Sequence, residues 1–391
     1  MKKGLLALAS GAFAMGFSEF LVMGVITSIA AGVGVTVPEA GGFISAYAIG
    51  VCFGTLILVF GHKVAPKKLL MLFMLLCFAG NVMAAASPNA ATLTVARFIS
   101  GLPHGAFFGT ATIAAKAMAE KGREGQAVAL MVLGQSLANT VGVPFGTLLA
   151  GMLSWRAAFG FVAAWALLSL ALTWRFVPAI PGVADAGLAG QFRFLGHPGP
   201  WVVLAAVFLG NTGIFCWWSY VSPWLETVGG WDAPVLPALL VLAGAGMIFG
   251  SQLGGRAGDH FTPGWASAIG QAITCVSLLA IFAFSGSLVS SAALMFACCC
   301  GLFFVSSPQQ IAMVEVGQGG GEMIGSACVQ VAFNGGNAVG ARIGQAVLDT
   351  GLAYNYPALA GAPITAVAVA LLCLYAWRFE REYHNRGAVK A

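Results

Sequence analysis

Charge is scarce in this chain. Of its 391 residues, 8% are Asp, Glu, Lys or Arg and 59% are hydrophobic, whereas a water-soluble domain carries about a quarter charged residues. Composition therefore excludes an ordinary aqueous enzyme. The net charge of +5 is not the signature of a nucleic-acid partner, because the basic residues follow a positional rule rather than forming one patch. Cysteine is equally uninformative: the nine residues contain no CxxC pair. Cys298, Cys299 and Cys300 are consecutive, so on a helix they point to different faces and cannot jointly grip a metal. There is no Walker A sequence, no Ser/His/Asp set, and the five histidines are scattered. No catalytic residue, metal or cofactor is expected, and the chain does not read as an enzyme.

Long apolar runs fill the remainder. Each is about 20 residues or more, enough to cross ~30 Å of hydrocarbon as a helix, and in lipid a helix satisfies its own backbone. The runs predict an all-α integral membrane protein with spans over 4–31, 39–60, 67–87, 91–118, 126–153, 156–177, 201–224, 233–254, 264–286, 291–314, 323–349 and 356–378. Met1-Lys2-Lys3 followed by an apolar stretch imitates a secretory signal. The stretch runs on to Ala31 and carries Glu19, so it reads as an uncleaved first helix. Twelve spans place both termini on one side. Fifteen of the 18 Lys and Arg residues fall on that side, the outer loops hold Arg156, and Arg97 and Arg342 lie within helices. The bias makes both termini cytoplasmic. The Pro/Gly-rich stretch 178–200 is the longest loop. It divides the chain into an N-terminal six-helix half (1–177), a cytoplasmic loop, a C-terminal half (201–378) and a tail (379–391).

The halves echo one another. Asn139-Thr-Val-Gly142-Val-Pro144-Phe-Gly146 in the fifth span and Asn337-Ala-Val-Gly340-Ala-Arg342-Ile-Gly344 in the eleventh share an Asn-x-Val-Gly-x-x-x-Gly frame, 198 positions apart. Parallel six-helix repeats are a recurring transporter architecture. Small-xxx-small ridges also pack membrane helices closely with no transport role, and both readings hold together here.

Four segments then carry a family resemblance: MGFSEFLVMGV (Met15 to Val25), RFISGLPHGAFFG (Arg97 to Gly109), GVPFGTLLAGMLSWRAAF (Gly142 to Phe159) and FNGGNAVGARIG (Phe333 to Gly344) with GLAYNY after it. The chain resembles the major facilitator superfamily, in its twelve-helix drug:proton antiporter group and nearest its arabinose-efflux permease-like branch. The resemblance implies two six-helix pseudo-symmetric halves around a central cavity, a bacterial inner-membrane location and a monomer. The Gly142-x-Pro144-x-Gly146 run resembles the fifth-helix motif of exporters. The family's cytoplasmic loop signature, Gly-x-x-x-Asp-Arg/Lys, is kept after the eighth span as Gly255 and Asp259, with His260 at the basic position. After the second span, Leu58 and His62 replace the Gly and Asp. Gly142, Pro144, Gly146, Gly255 and Asp259 are thus the expected conformational residues.

Polar residues inside the apolar runs are the candidate site. Glu19 lies about halfway along the first span, where a carboxylate is costly when ionised and tolerable when neutral, which suits a proton carrier. Its bland reading is a packing hydrogen bond. His104 and Arg97, seven residues apart, share a face of the fourth span. Glu19, His104 and Arg97 are expected to form one proton-coupling cluster. Gln135 and Asn139 share a face of the fifth span, and Gln330, Asn334 and Asn337 a face of the eleventh. Asn211, Trp217, Trp218 and Tyr220 belong to the seventh. Amides that both donate and accept suit sugar hydroxyls or drug carbonyls. Arg342 reads either as a further substrate contact or as an ion-pair partner of Asp349. Trp155, Trp201, Trp224 and Trp231, near span ends, read as interfacial anchors. These features predict a secondary transporter that exports a sugar or an amphiphilic drug-like compound in exchange for protons by alternating access. The alternative is a proton-coupled or passive nutrient importer of the same fold, since direction depends on gradients. A receptor or scaffold would need a soluble domain, and a channel a pore loop; neither is visible.

Overall fold

A computed structural model describes residues 2–61, 64–120, 124–180, 192–316 and 322–380, and its regular elements are all helical. In the first part of the chain these are α1 (Lys2–Val33), α2 (Val37–Gly61), α3 (Pro66–Ala85), α4 (Ala90–Gly101), α5 (Pro103–Ala117), α6 (Glu124–Leu137), a π-helical turn (Ala138–Gly142), α7 (Val143–Met152) and α8 (Trp155–Phe176). They are followed by α9 (Pro198–Trp218), α10 (Val221–Thr227), α11 (Leu236–His260), α12 (Pro263–Phe284), α13 (Leu288–Phe304), α14 (Ser306–Val316), α15 (Glu322–Leu348) and α16 (Tyr356–Arg378). Among the described residues, nine helical segments are long and apolar enough to cross a membrane. The other expected spans, 91–118, 126–153 and 323–349, are helical too; the first two are broken and the third carries the amide-rich face.

The first expected span is kinked at Val25 (φ −127°), and four others are interrupted, at Leu102, at the π-turn, at Ser219–Tyr220 and at Val305. Each interruption precedes a proline in the first turn of the next helix: Pro103, Pro144, Pro223 and Pro308. First-turn N–H groups have no intrahelical acceptor, so proline sacrifices nothing there, whereas in mid-helix it would lose a bond and clash with the preceding turn. Pro144 is therefore not a simple kink. The distortion lies before it, where the Val143 N–H reaches five residues back to the Ala138 carbonyl.

The chain forms two compact units, Met1–Asp185 with Ala233–Val241, and Ala186–Asp232 with Leu242–Ala391. Within each, helices meet backbone to backbone at glycines. A β-carbon on Gly50 or Gly54 of α2 would fall on the carbonyl oxygens of Phe98 and Leu102. In the second unit, β-carbons on Gly250 and Gly254 of α11 would fall on those of Cys300 and Phe304. A second seam repeats as well: Gly142 lies against the Phe17 ring of α1, and Gly340 against Phe215 and the Thr212 carbonyl of α9. Phe17 and Phe215, like Gly142 and Gly340, are 198 positions apart, the offset of the Asn-x-Val-Gly frame. The repeat is thus one of contacts as well as letters. Lipid tails are as apolar as leucine, so close van der Waals approach, which only small residues permit, carries helix association.

Gly255, expected to act in conformational change, would meet nothing within 4 Å if given a β-carbon. The Asp259 side chain lies outside the described residues, as does His62. Two expected anchors are corrected: Trp155 and Trp224 are buried, while Trp201 is 56% exposed. Trp155 packs on Gly32 at the end of α1, and the Trp224 ring meets Trp217 edge-on at 4.9 Å, so helix-end position alone misassigned both.

These seams make a direct prediction. Gly250→Ala should lower the thermal midpoint of the detergent-solubilised protein by an overpacking cost of about 1–3 kcal/mol, while Gly255→Ala should leave it unchanged, as followed by tryptophan fluorescence.

Candidate functional site

In the first unit, polar side chains from five helices meet inside otherwise apolar surroundings. Glu19 of α1 is 4% exposed and His104 of α5 is 1% exposed, and Glu19 Oε2 lies 3.5 Å from His104 Nε2. The other ring nitrogen, Nδ1, is 2.9 Å from the Tyr47 hydroxyl of α2, and that hydroxyl also lies 3.3 Å from the Met15 carbonyl oxygen, to which it can donate. His104 thus hydrogen bonds the Tyr47 phenol at Nδ1, with a carboxyl group 3.5 Å from Nε2.

Arg97 of α4 is fully buried. It donates from Nη1 to the Ser18 carbonyl at 2.7 Å and from Nε to the Phe43 carbonyl at 3.5 Å. Its guanidinium stacks 4.3 Å from the centroid of the Tyr47 ring. A buried cation is thus fixed on the peptide bond preceding Glu19, with a π-face beneath it. Beside it, the Ser18 hydroxyl and the Asn81 side chain of α3 are hydrogen bonded, and Asn81 Nδ2 also donates to the Cys77 carbonyl at 2.8 Å.

The structure brings Glu19 and His104 together and anchors Arg97 on the residue next to Glu19. The reason is local. The helix breaks at Leu102, yet Pro103 resumes it at once, so residues 97 and 104 still turn towards α1 and α2. Tyr47, Ser18 and Asn81 were missed from sequence. A tyrosine within an apolar span reads as filler, and the available signal was its depth, well inside 39–60 rather than at an end.

The remaining candidates fall in two places. In the first unit, Gln135 packs against Gly16 of α1. Asn139, in the π-turn, is 5% exposed, and neither atom of its amide has a hydrogen-bond partner among the described residues. In the second unit, Asn211 and Asn334 are buried; each donates to the carbonyl four residues back, Val207 at 2.8 Å and Gln330 at 3.0 Å. Their Oδ1 atoms have no described partner. Gly336 faces the Asn211 Cβ, which sets these two amide-bearing faces of α9 and α15 against each other, with Asn337 buried beside them. Trp217 and Trp218 are buried with their rings 5.8 Å apart and their indole N–H groups unpartnered among the described residues. Tyr220 donates to the Ala341 carbonyl at 3.0 Å, tying the break between α9 and α10 to α15. Arg342 is exposed and donates to Gln345 Oε1 at 2.7 Å, a partner that neither sequence alternative named. Gln271, 3% exposed and against Gly210, was not anticipated.

Comparisons with known proteins identify the family of the chain. The family model of the Major Facilitator Superfamily matches residues 8–327. The chain is 39% identical over 383 residues to "Putative transporter AraJ" of Escherichia coli K12, covering 98% of this chain and 97% of that protein. It is 33% identical over 374 residues to "Inner membrane transport protein YdhP" of the same organism, with 95% of each covered. Among solved structures, it superposes on "Crystal structure of peptide transporter POT (E310Q mutant) in complex with alafosfalin" with a TM-score of 0.75 at 14% identity, covering 96% and 95% of the two chains; that likeness shows the fold.

The Tyr47 contacts generate a prediction. Tyr47→Phe keeps the ring under Arg97 and loses the hydroxyl, so it should cost about 0.5–1.5 kcal/mol. Tyr47→Leu loses the stacking as well and should cost about 0.5–2 kcal/mol more. Thermal midpoints of the two purified variants check the order. The family match and the identity to these relatives over nearly the whole chain show that it belongs to the major facilitator superfamily, as a membrane transporter rather than an enzyme.

Proposed function

We propose that this transporter exports a small molecule in exchange for protons, by alternating access. The observation that carries the reading is the Glu19–His104 pair, a carboxyl group buried in the middle of a membrane helix 3.5 Å from an imidazole nitrogen. A charge there is expensive unless paired or neutralised, and intramembrane ionisable residues mark ion and proton pathways. A proton on Glu19 removes that cost, and a proton on His104 pairs it. Either location is stable, and passage between them needs no large motion of the side chains. Arg97 is held by carbonyl oxygens of α1 and α2, so it contributes a fixed positive charge beside the carboxyl group and stays in place when the proton leaves.

Export as the direction is favoured by the Gly142-x-Pro144-x-Gly146 run. Its glycines lie on the Phe17 ring and place the smooth seam of α7 directly on the helix that carries Glu19. Substrate selection is assigned to the amides Gln135 and Asn139 in the first unit and to Asn211, Gln330, Asn334, Asn337, Trp217 and Trp218 in the second. Buried amide oxygens and indole N–H groups match compounds rich in hydroxyl and carbonyl groups, such as sugars, and the aromatic rings extend the range to amphiphilic drug-like compounds. A cytoplasmic-membrane location with both termini inside follows from the Lys/Arg bias.

The test is substrate-driven proton movement. Proteoliposomes with an internal pH dye are challenged with a panel of pentoses, hexoses and amphiphilic drugs. Wild type should move protons with at least one compound. Glu19→Gln, which keeps shape and polarity but cannot ionise, should fall to the level of empty liposomes. Full proton movement in Glu19→Gln would refute the assignment, and substrate flux without protons in wild type would make the protein a facilitator.

A further inference from the structure

One end of the first unit gathers cations that the proton site does not use. Three of them, from three helices, converge on the last turn of α8. Lys67 in the first turn of α3 donates to the Trp174 carbonyl oxygen at 2.8 Å. Lys3 of α1 lies 5.8 Å from the centroid of the Phe176 ring, and the Arg175 guanidinium lies 5.4 Å from the same centroid. The helix ends that bring them together are in contact: a β-carbon on Gly4 would lie 3.0 Å from the Phe176 carbonyl oxygen. Lys68, the residue after Lys67 in the same first turn of α3, is exposed. An anion placed among these cations is stabilised by each.

The second unit handles the equivalent place differently. Its α12 begins at Pro263, 197 positions after the Pro66 that begins α3. There the buried Glu380 carboxylate accepts the Gly264 N–H at 2.6 Å and the Thr262 hydroxyl. This half of the repeat carries its own anion where a helix N-terminus favours one. The sequence position 198 before Glu380 is Gly182. Ala65 gives α3 no side-chain cap, and Lys67 and Lys68 occupy its first turn. The two units thus place opposite charges at corresponding helix ends.

The surroundings indicate which kind of anion fits this end of the unit. Trp174 is 63% exposed next to the cations, and α3 and α8 expose Leu72, Leu75 and Leu168. An amphipathic ring at headgroup level above an apolar helix face is a membrane-interface arrangement, and basic clusters at cytoplasmic helix ends take anionic lipid headgroups. From charge complementarity and this apolar continuation, we infer that the α1/α3/α8 end of the first unit binds the phosphate headgroup of an anionic phospholipid. Lys3, Lys67, Lys68 and Arg175 hold the phosphate, and the acyl chains lie along α3 and α8. The bound lipid ties together the ends of three helices, as Glu380 ties α16 to α12.

The test uses the full chain in detergent with cardiolipin, phosphatidylglycerol, phosphatidylcholine or inorganic phosphate added. It reads thermal midpoints and the number of lipids retained in native mass spectrometry. Wild type should gain stability with the two anionic lipids and not with phosphatidylcholine or phosphate. Lys3→Gln/Lys67→Gln/Arg175→Gln should lose that gain and retain one lipid fewer, with binding about fivefold weaker for each cation removed. Arg256→Gln/Arg378→Gln, in the second unit, should behave as wild type. An unchanged gain in the triple variant, an equal gain with phosphatidylcholine, or an equal gain with inorganic phosphate would each overturn the inference. If the triple variant does not fold, Lys3→Gln and Arg175→Gln singly are read the same way.

Discussion

Close approach of helix backbones at glycine is the constraint on which the other features rest. Gly50 and Gly54 bring α2 onto α4, and Gly142 brings the fifth span onto α1. Tyr47, three residues before Gly50, and His104, two after Leu102, flank this close seam, where the 2.9 Å and 3.5 Å contacts form. The polar cluster is a product of the packing. In turn it gives that packing a register, because Arg97 bonds the Ser18 and Phe43 carbonyls of two neighbouring helices at once. A buried arginine that satisfies backbone oxygens and rests on an aromatic ring is a positioning device as much as a charge.

The two units use the same seams and fill them differently. Glycines face carbonyl oxygens between α2 and α4 and again between α11 and α13. The cores of the seams diverge: Glu19 lies 198 positions before Trp217, so a titratable group in one unit corresponds to an indole in the other. The first unit thereby holds the candidate proton chemistry and the second an amide and indole surface. This division follows from what each seam surrounds, since the seams themselves are alike.

Much of this was legible in the sequence. Apolar run length gave the helical membrane fold, and the Asn-x-Val-Gly frame gave the repeat, because both are dictated by period and spacing. Glu19, His104 and Arg97 stood out because charge inside an apolar run has few innocent explanations. Tyr47 did not, since a phenol in such a run looks like any other large side chain until its partners are known. Trp155 and Trp224 were misread because proximity to a helix end says nothing about whether a neighbouring helix covers the ring. Pro144 stood out only as part of a motif; that the turn before it widens into a π-turn and leaves it in the first turn of α7 is visible only in the backbone. Arg342 bonds Gln345, three residues on, a pairing that spacing permits but that carried no more weight in the sequence than Asp349.

The most direct measurement of the central claim, that Glu19 exchanges a proton inside the membrane, needs no known substrate. Infrared difference spectra of the reconstituted protein are recorded across a pH titration for wild type and Glu19→Gln. The account predicts a neutral-carboxyl band in wild type that appears and disappears with pH and is absent from the variant. No titrating band assignable to Glu19 would mean a carboxylate held permanently in one state, a structural partner of His104 and not a proton carrier.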